Sequence, residues 1–197
     1  MSDLSLRRRS FLQTLLAIPV GLLAEQQKVQ SSGVGVKVAA GVDRFNDVRK
    51  LPGGDLVFVK VATQDTAGAF FLTEQPISRK WAGPPRHFHY EQDEWFYCLA
   101  GEYVVEVGNQ RFELAPGDSV LGPRRVPHAF AFVGNTTGKL LVGFTPAGRM
   151  EEFFRDLEKR GRYFGNGTPE DKEIARQKYG IENVGPPLTP DDAGQKL

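Results

Sequence analysis

The chain has too few cysteines and too little net charge for several common classes of protein. Cys98 is the only cysteine among 197 residues, which excludes an intramolecular disulfide and a cysteine-based zinc site. The 25 Lys and Arg residues are balanced by 24 Asp and Glu residues, and the formal net charge is +1. Nucleic-acid-binding domains carry a strongly basic surface, so we predict that the chain has no nucleic-acid partner.

No apolar segment is long enough to form a stable membrane span. A bilayer takes a helix of about 20 apolar residues, and the uncharged segment 11–24 is shorter than that. The basic residues 7–9 precede this segment and the small residue Ala24 ends it, which is typical of a bacterial secretory signal. The pair Arg8-Arg9 resembles a twin-arginine signal, so we expect residues 1–24 to direct export to the periplasm. The alternative is a frayed amphipathic N-terminus of a cytoplasmic protein.

Between residues 56 and 144 the sequence alternates between short strand-like runs and turn residues. Runs such as 56–61 and 103–107 are rich in β-branched and aromatic side chains, and the Gly108-Asn109 pair is typical of a hairpin turn. No internal repeat is visible. Seven or more short strands at this spacing predict one all-β domain, a sandwich or a barrel, over residues 51–146.

Two segments flank the predicted barrel. Residues 25–50 are predicted to be a polar linker, within which Val34–Ala40 forms a short strand. Residues 147–197 are predicted to be a helical extension with an extended tail. Apolar residues at helical spacing in 150–160 predict a helix that packs on the outside of the barrel. A second helix is predicted over 168–180, because a threonine N-cap and a proline open it and a glycine ends it.

All three histidines fall into one pattern with a carboxylate. His87 and His89 are two residues apart, so on a strand both side chains point to the same face. Glu94 can return to that face from the next strand, and His128 begins a later strand-like run. Three neutral imidazoles and one carboxylate suit one first-row divalent transition metal. The donor set does not distinguish among Fe, Mn, Ni, Co, Cu and Zn.

These residues and their spacing resemble the two motifs of the cupin superfamily, over about residues 55–146. The matching positions are His87, His89, Glu94 and Gly101 in the first motif and Gly117, Pro123 and His128 in the second. Arg125 replaces a glycine of the pattern and Phe132 an asparagine, and neither position is a ligand. The resemblance implies a small jelly-roll β-barrel with the metal inside, near one end. It also implies a homodimer formed through outer strands, for which the segment 34–40 is the candidate.

Aromatic side chains alternate with the proposed ligands along two strands. Phe96 lies two residues after Glu94, and Phe130 and Phe132 lie two and four residues after His128, so all three point to the same interior. They are candidates for a substrate pocket, and equally for ordinary core. Cys98 is predicted to be a small buried hydrophobe.

The sequence resembles the quercetinase-like cupins more than the sugar-nucleotide epimerases of the superfamily. This resemblance implies a metal-dependent dioxygenase that acts on a phenolic or enolic small molecule, with Glu94 as both metal ligand and catalytic base. Two alternatives stay open at this point. One is a non-catalytic small-molecule-binding cupin, and the other is a metal-dependent isomerase, decarboxylase or hydrolase on the same barrel.

Overall fold

The computed structural model describes residues 33–52, 54–164 and 167–193. The predicted export segment, residues 1–24, lies outside the described residues. Within them the chain forms two six-stranded sheets, three α-helices and a short 3-10 helix, Thr63–Thr66. None of the described helices is both long enough and apolar enough to cross a membrane.

The strands of both sheets pair in antiparallel fashion. In spatial order the first sheet contains β1 (Arg49–Lys50), β2 (Leu56–Val61), β3 (Phe71–Ile77), β11 (Gly138–Thr145), β6 (Asp93–Ala100) and β9 (Ser119–Gly122). The second sheet contains β12 (Ile181–Pro187), β5 (Pro85–His89), β10 (His128–Phe132), β7 (Tyr103–Val107) and β8 (Gln110–Leu114), and β4 (Trp81–Ala82) also pairs with β10.

The main hydrophobic core lies between the two sheets. Successive side chains of a strand point to opposite faces, so every second residue of each strand enters this space. Phe71, Phe96 and Phe144 come from the first sheet, and Phe130 and Phe132 come from the second. All five belong to one buried cluster. The architecture confirms the predicted all-β fold, a jelly-roll barrel of two facing antiparallel sheets.

Two local predictions for the strands have opposite outcomes. The hairpin is confirmed, because Gly108 and Asn109 connect β7 to β8 and Gly108 has a φ of +58°. The predicted strand Val34–Ala40 is wrong, since the segment contains no strand and the first strand is Arg49–Lys50. Val34 and Val36 are 73% and 46% exposed. With no apolar face to bury against the barrel, the valines of this segment have nothing that holds them in a sheet.

Both predicted helices are present and lie outside the strands, in a C-terminal extension that we define as residues 147–193. Helix α1 is Met150–Arg160, and its buried residues include Met150, Phe154 and Leu157 of the main core. Helix α2 is Pro169–Tyr179, and the Thr168 hydroxyl accepts a hydrogen bond from the Asp171 amide at 3.3 Å at its N-terminus. A final short helix, α3, is Pro190–Ala193.

The segment after α2 is a strand of the barrel rather than a separate tail. Strand β12 pairs with β5, and its prolines lie at its C-terminal end, where the pairing register shifts between Asn183 and Pro187. Proline cannot donate a backbone hydrogen bond, and β12 is the edge strand of its sheet, where this loss is tolerated. The C-terminal extension therefore closes the sheet edge beside the strand that carries His87 and His89.

Candidate metal centre

The structure brings together the four residues that the sequence pattern selected as metal ligands. His87 and His89 project from β5 into the barrel, and His128, at the start of β10, pairs with His87 in the same sheet. Glu94 projects from β6 of the opposite sheet. The four side chains are buried, and one ligand atom from each lies within 4.8 Å of all the others.

The three imidazoles converge on one carboxylate oxygen. The Nε2 atoms of His128 and His89 lie 2.8 and 3.0 Å from Oε2 of Glu94, and Nε2 of His87 lies 3.7 Å from it. The rings of His87 and His128 meet edge to face with centroids 4.7 Å apart. This packing leaves all four donors directed at one small volume inside the barrel.

The hydrogen bonds on the far side of two imidazoles leave their Nε2 atoms available to bind a cation in that volume. Nδ1 of His87 lies 2.7 Å from the Pro85 carbonyl oxygen, and Nδ1 of His128 lies 3.0 Å from that of Val126. A carbonyl oxygen only accepts, so each Nδ1 carries the proton and the Nε2 of the neutral ring is an acceptor. These Nε2 atoms then face a carboxylate oxygen, which is also an acceptor. A divalent metal satisfies all of these acceptors at once, so the donor set fits the expected ion.

Burial and the imidazoles set the protonation states of the site. Burial lowers the pKa of His89 to about 4, although the neighbouring Glu94 carboxylate acts in the opposite direction. Burial alone would raise the pKa of Glu94, but the imidazoles of His128, His87 and His89 hold it well below its ordinary value. At neutral pH His89 is therefore neutral and Glu94 is ionised, which are the forms that bind a metal.

A cavity of about 60 Å³ adjoins His87 and Glu94. Its walls are mainly aromatic and come from two sources: the barrel contributes Trp81, Phe130 and Phe144, and the C-terminal extension contributes Phe153, Phe154 and Phe164. Three uncharged polar side chains also line it, those of Gln75, Tyr163 and Asn183. An apolar cavity with a few polar groups, next to a cluster of potential metal ligands, is typical of a small-molecule site.

The three predicted pocket residues occupy different places. Phe130 lines the cavity. Phe96 packs behind the site, with ring centroids 5.9 Å from His128 and 5.6 Å from Phe130. Phe132 packs on Tyr103 with centroids 5.1 Å apart and is not among the described residues that line the cavity. Of the three, only Phe130 is placed to contact a ligand in this cavity.

Two charged residues near the motif, Asp93 and Arg86, face away from the centre. Asp93 points to the outside, where the Arg124 side chain and amide hold the pKa of its carboxyl at about 2. Arg86 donates to Glu106 at 2.8 Å on the outer face of the second sheet. Cys98 is fully buried, as predicted.

The polar residues Gln75 and Asn183 were missed by the sequence analysis. Asn183 is the direct partner of His87 across the β5–β12 pairing, so the two side chains lie on the same face of the sheet. The alternation of Ile181 and Asn183 after the glycine that ends α2 is the one sequence signal that could have indicated an inward-facing strand there. Gln75 carries no such signal, because it lies among residues of mixed polarity in β3.

Comparisons with known proteins identify sequence relatives of this chain. Residues 79–144 match the family model described as "Cupin domain". The chain is 31% identical to quercetin 2,3-dioxygenase of Bacillus subtilis over 138 residues, which cover 69% of this chain and 39% of the relative. It is 34% identical over 55 residues to an uncharacterised protein of Methanocaldococcus jannaschii, covering 28% of this chain and 44% of that one. The chain thus spans less than half the length of either curated relative.

Among solved structures, KdgF from Halomonas sp. matches with a TM-score of 0.46 and 20% identity, over 56% of this chain and 94% of that one. An RmlC-like cupin from Shewanella frigidimarina matches with a TM-score of 0.46 and 24% identity, over 54% of this chain and 87% of that one. The molecule is a jelly-roll barrel with a cluster of three histidines and one glutamate in its interior. The cluster lies within residues 79–144, the part of the chain that matches the cupin domain.

Proposed function

We propose that the protein is a metal-dependent dioxygenase that acts on a phenolic or enolic small molecule. The observation that carries this proposal is the convergence of three imidazole Nε2 atoms and one carboxylate oxygen beside an aromatic cavity. The identity to quercetin 2,3-dioxygenase over 69% of the chain supports it.

The four clustered residues would hold the metal, with His87, His89 and His128 neutral and Glu94 ionised. When bound, the metal would lower the pKa of a coordinated hydroxyl and mediate electron transfer from the substrate to oxygen. Among the described residues, Glu94 provides the carboxylate of the cluster, and its Oε2 atom faces the imidazoles. Glu94 is ionised, so it would accept the proton of an enol or phenol hydroxyl that a bound metal makes more acidic.

The cavity walls would orient the substrate and exclude water. Phe130 and Trp81 pack against each other with ring centroids 5.6 Å apart and present aromatic surface to the cavity. Such walls suit a planar conjugated ligand, whose faces can stack on the rings. Excluding water from the cavity also strengthens the electrostatic effect of Glu94 on a bound hydroxyl group.

Substitution of Glu94 by Gln tests the proposal. Gln keeps the size of the side chain and one oxygen donor but cannot accept the proton, so oxygen consumption per bound metal should fall by about 10²–10⁴-fold. The measurement combines elemental analysis of protein purified without added metal with oxygen uptake on flavonol and enolic substrates. Glu91→Gln is the matched control, because Glu91 is 68% exposed and pairs only with Arg125 at 3.6 Å among the described residues.

Two outcomes would contradict the proposal. Equal turnover per bound metal in Glu94→Gln and the wild type would exclude the role of Glu94 as a base. Ligand binding without turnover, by wild-type protein loaded with each of several first-row metals, would favour a non-catalytic binding protein instead.

Export and dimer formation are further parts of the proposed function. The basic residues 7–9, the apolar segment that follows and the Arg8-Arg9 pair support transport of the protein to the periplasm through the twin-arginine route. The exposed side chains of Val34 and Val36 support a homodimer contact through the segment 34–40.

A further inference from the structure

We propose that the centre takes a small oxygen-bearing monoanion, the enolate of a short dicarbonyl compound, and not a flavonol or another multi-ring phenol. The inference rests on the proposed function and narrows its substrate class. Three features of the cavity carry it: its volume, the charge of its lining and two carboxamides in its walls.

The volume of the cavity sets the size of the ligand. A water-sized group takes about 10–15 Å³ on this scale, so about 60 Å³ holds roughly four to six non-hydrogen atoms. Pockets for drug-sized ligands measure about 300–1,000 Å³. A flavonol has three rings and about twenty non-hydrogen atoms, several times more than this space holds. A short dicarbonyl compound such as acetylacetone, with about seven non-hydrogen atoms, is a conjugated ligand that comes near to the space available.

The walls of the cavity are part of the main core, so moving them apart costs free energy. Phe154 of the C-terminal extension packs against Phe71 and Phe144 of the barrel, with ring centroids 6.0 and 6.1 Å apart. Asp171 of α2 pairs with Arg162 at 2.8 Å and with Arg160 at 2.6 Å, which holds the two helices together. Widening the cavity to admit three rings would separate these contacts and expose buried aromatic surface to water.

The charge of the lining favours a monoanion. Glu94 is the only Asp or Glu among the described residues that line the cavity, and none of those residues is Lys or Arg. A divalent metal together with ionised Glu94 leaves one net positive charge, which a single enolate neutralises. A phosphorylated ligand would bring about two negative charges into a buried site that offers no cationic side chain, which is costly.

Two carboxamides are available to the oxygens of such a ligand. The Gln75 side chain donates to the Thr73 hydroxyl at 3.2 Å, and Thr73 donates in turn to the Val142 carbonyl at 3.2 Å, which fixes the orientation of the amide. Both Gln75 and Asn183 line the cavity. Asn183 lies beside His87 and can donate to a ligand oxygen close to the metal.

Binding of two diketones of different size tests the inference without requiring turnover. Acetylacetone and dibenzoylmethane share one enolisable unit, but dibenzoylmethane adds two rings. We expect acetylacetone to bind metal-loaded protein at least about a hundredfold more tightly than dibenzoylmethane or quercetin, in calorimetric titrations without oxygen. Comparable affinity for quercetin, or no affinity for acetylacetone, would overturn the inference. If acetylacetone binds in these titrations but no oxygen is consumed once oxygen is supplied, the proposed oxygenase is contradicted and this inference still stands.

Substitutions of Asn183 test the carboxamide contact. Asn183→Leu should weaken acetylacetone binding by about tenfold or more at unchanged metal content, because a hydrogen bond to a charged oxygen is lost. Asn183→Asp keeps the size but adds a negative charge, so it should weaken binding of a monoanion further. Val184→Leu is the control, since Val184 is exposed on the same strand. Tighter binding in Asn183→Asp would show that the ligand is not an anion.

Enlarging the cavity tests the size argument. Phe153→Ala removes a partly buried ring that lines the cavity, so dibenzoylmethane should bind the variant at least about tenfold more tightly than the wild type. Phe45→Ala is the control, because Phe45 is exposed and is not among the described lining residues. A folded Phe153→Ala protein with unchanged selectivity would contradict the argument, and the wild-type titrations stand whether or not the variant folds.

Discussion

The three histidines differ in the hydrogen bonding of Nδ1, the ring nitrogen that faces away from Glu94. Nδ1 of His87 and of His128 donates to a backbone carbonyl, whereas Nδ1 of His89 is buried without a partner among the described residues. A hydrogen bond on the far nitrogen fixes the ring and makes it a better ligand. His89 is instead positioned by packing, edge-on to Phe144 with centroids 5.5 Å apart.

Removing any one imidazole should abolish most of the metal binding. We expect His87→Ala, His89→Ala and His128→Ala each to lower metal content sharply at pH 7, as measured by elemental analysis after dialysis. In the wild type, affinity should fall in acid as the pH approaches the pKa of His89, about 4, because protons then compete with the metal for its nitrogen. Full metal content in all three variants would place the site elsewhere.

The buried centre should also make the metal-free protein less stable in acid. The pKa of His89 is about 4 in the folded protein and 6.5 in the unfolded chain, so between these values the unfolded chain binds more protons. Stability should therefore fall as the pH drops from 6.5 towards 4, by on the order of 3 kcal/mol. The lowered pKa of Glu94 acts in the same direction, below about 4.5.

Urea unfolding at pH 7 and pH 5 measures this dependence. His89→Gln is the informative comparison, because it removes the titrating ring while keeping a polar side chain of similar length. The variant should lose less stability than the wild type over the same pH interval. An equal loss in both proteins would show that His89 is not the group responsible.

At the scale of whole elements, the C-terminal extension is held by a few well-defined contacts. Thr168 caps α2: its hydroxyl accepts from the Asp171 amide, and Asp171 in turn accepts from the Thr168 amide at 3.0 Å. Thr168→Ala should therefore lower the free energy of unfolding by about 1 kcal/mol, measured by chemical denaturation. Thr136→Ala, at an exposed site in a loop, is the control and should change it by less than about 0.5 kcal/mol. Equal effects would mean that the cap contributes nothing.

The elements that sequence spacing predicts well are those whose pattern is local. The alternation of His87 with His89 and of Glu94 with Phe96 identified β5, β6 and the shared interior face, because side-chain direction in a strand follows period two. The helix α2 was equally visible, since its cap and its terminating glycine lie within the element.

Two elements could not be predicted, because long-range packing decides them. The glycine and prolines of β12 are typical of a tail, and only pairing with β5, about ninety residues earlier, makes the segment a strand. This is why Asn183 was missed as a candidate site residue. The segment 34–40 shows the reverse, because its valines favour a strand but find no partner in the barrel.

At the scale of the whole molecule, the route of export follows from the proposed signal. A protein that folds around a metal before transport needs a pathway that moves folded chains, which is what a twin-arginine signal selects. Replacing Arg8 and Arg9 with Lys should leave the precursor in the cytoplasm. Fractionation with detection of the protein measures this, and replacement of the nearby Arg7 alone is the control. Equal periplasmic yield of the double variant would exclude the twin-arginine route, though not secretion.

The pairing of β5 with β12 has a consequence for how the protein is synthesised. His87 and His89 leave the ribosome well before residues 181–187, so the growing chain carries both imidazoles on a strand with one open edge. Before residues 181–187 are made, His89 lacks its neighbour Ile181 and His87 lacks its neighbour Asn183. Helix α1, which contributes to the cavity walls, has then only just been made. The nascent barrel therefore leaves this side of the cluster open. Only completion of the chain supplies both neighbours, so the cluster reaches its final surroundings after the last strand has been made.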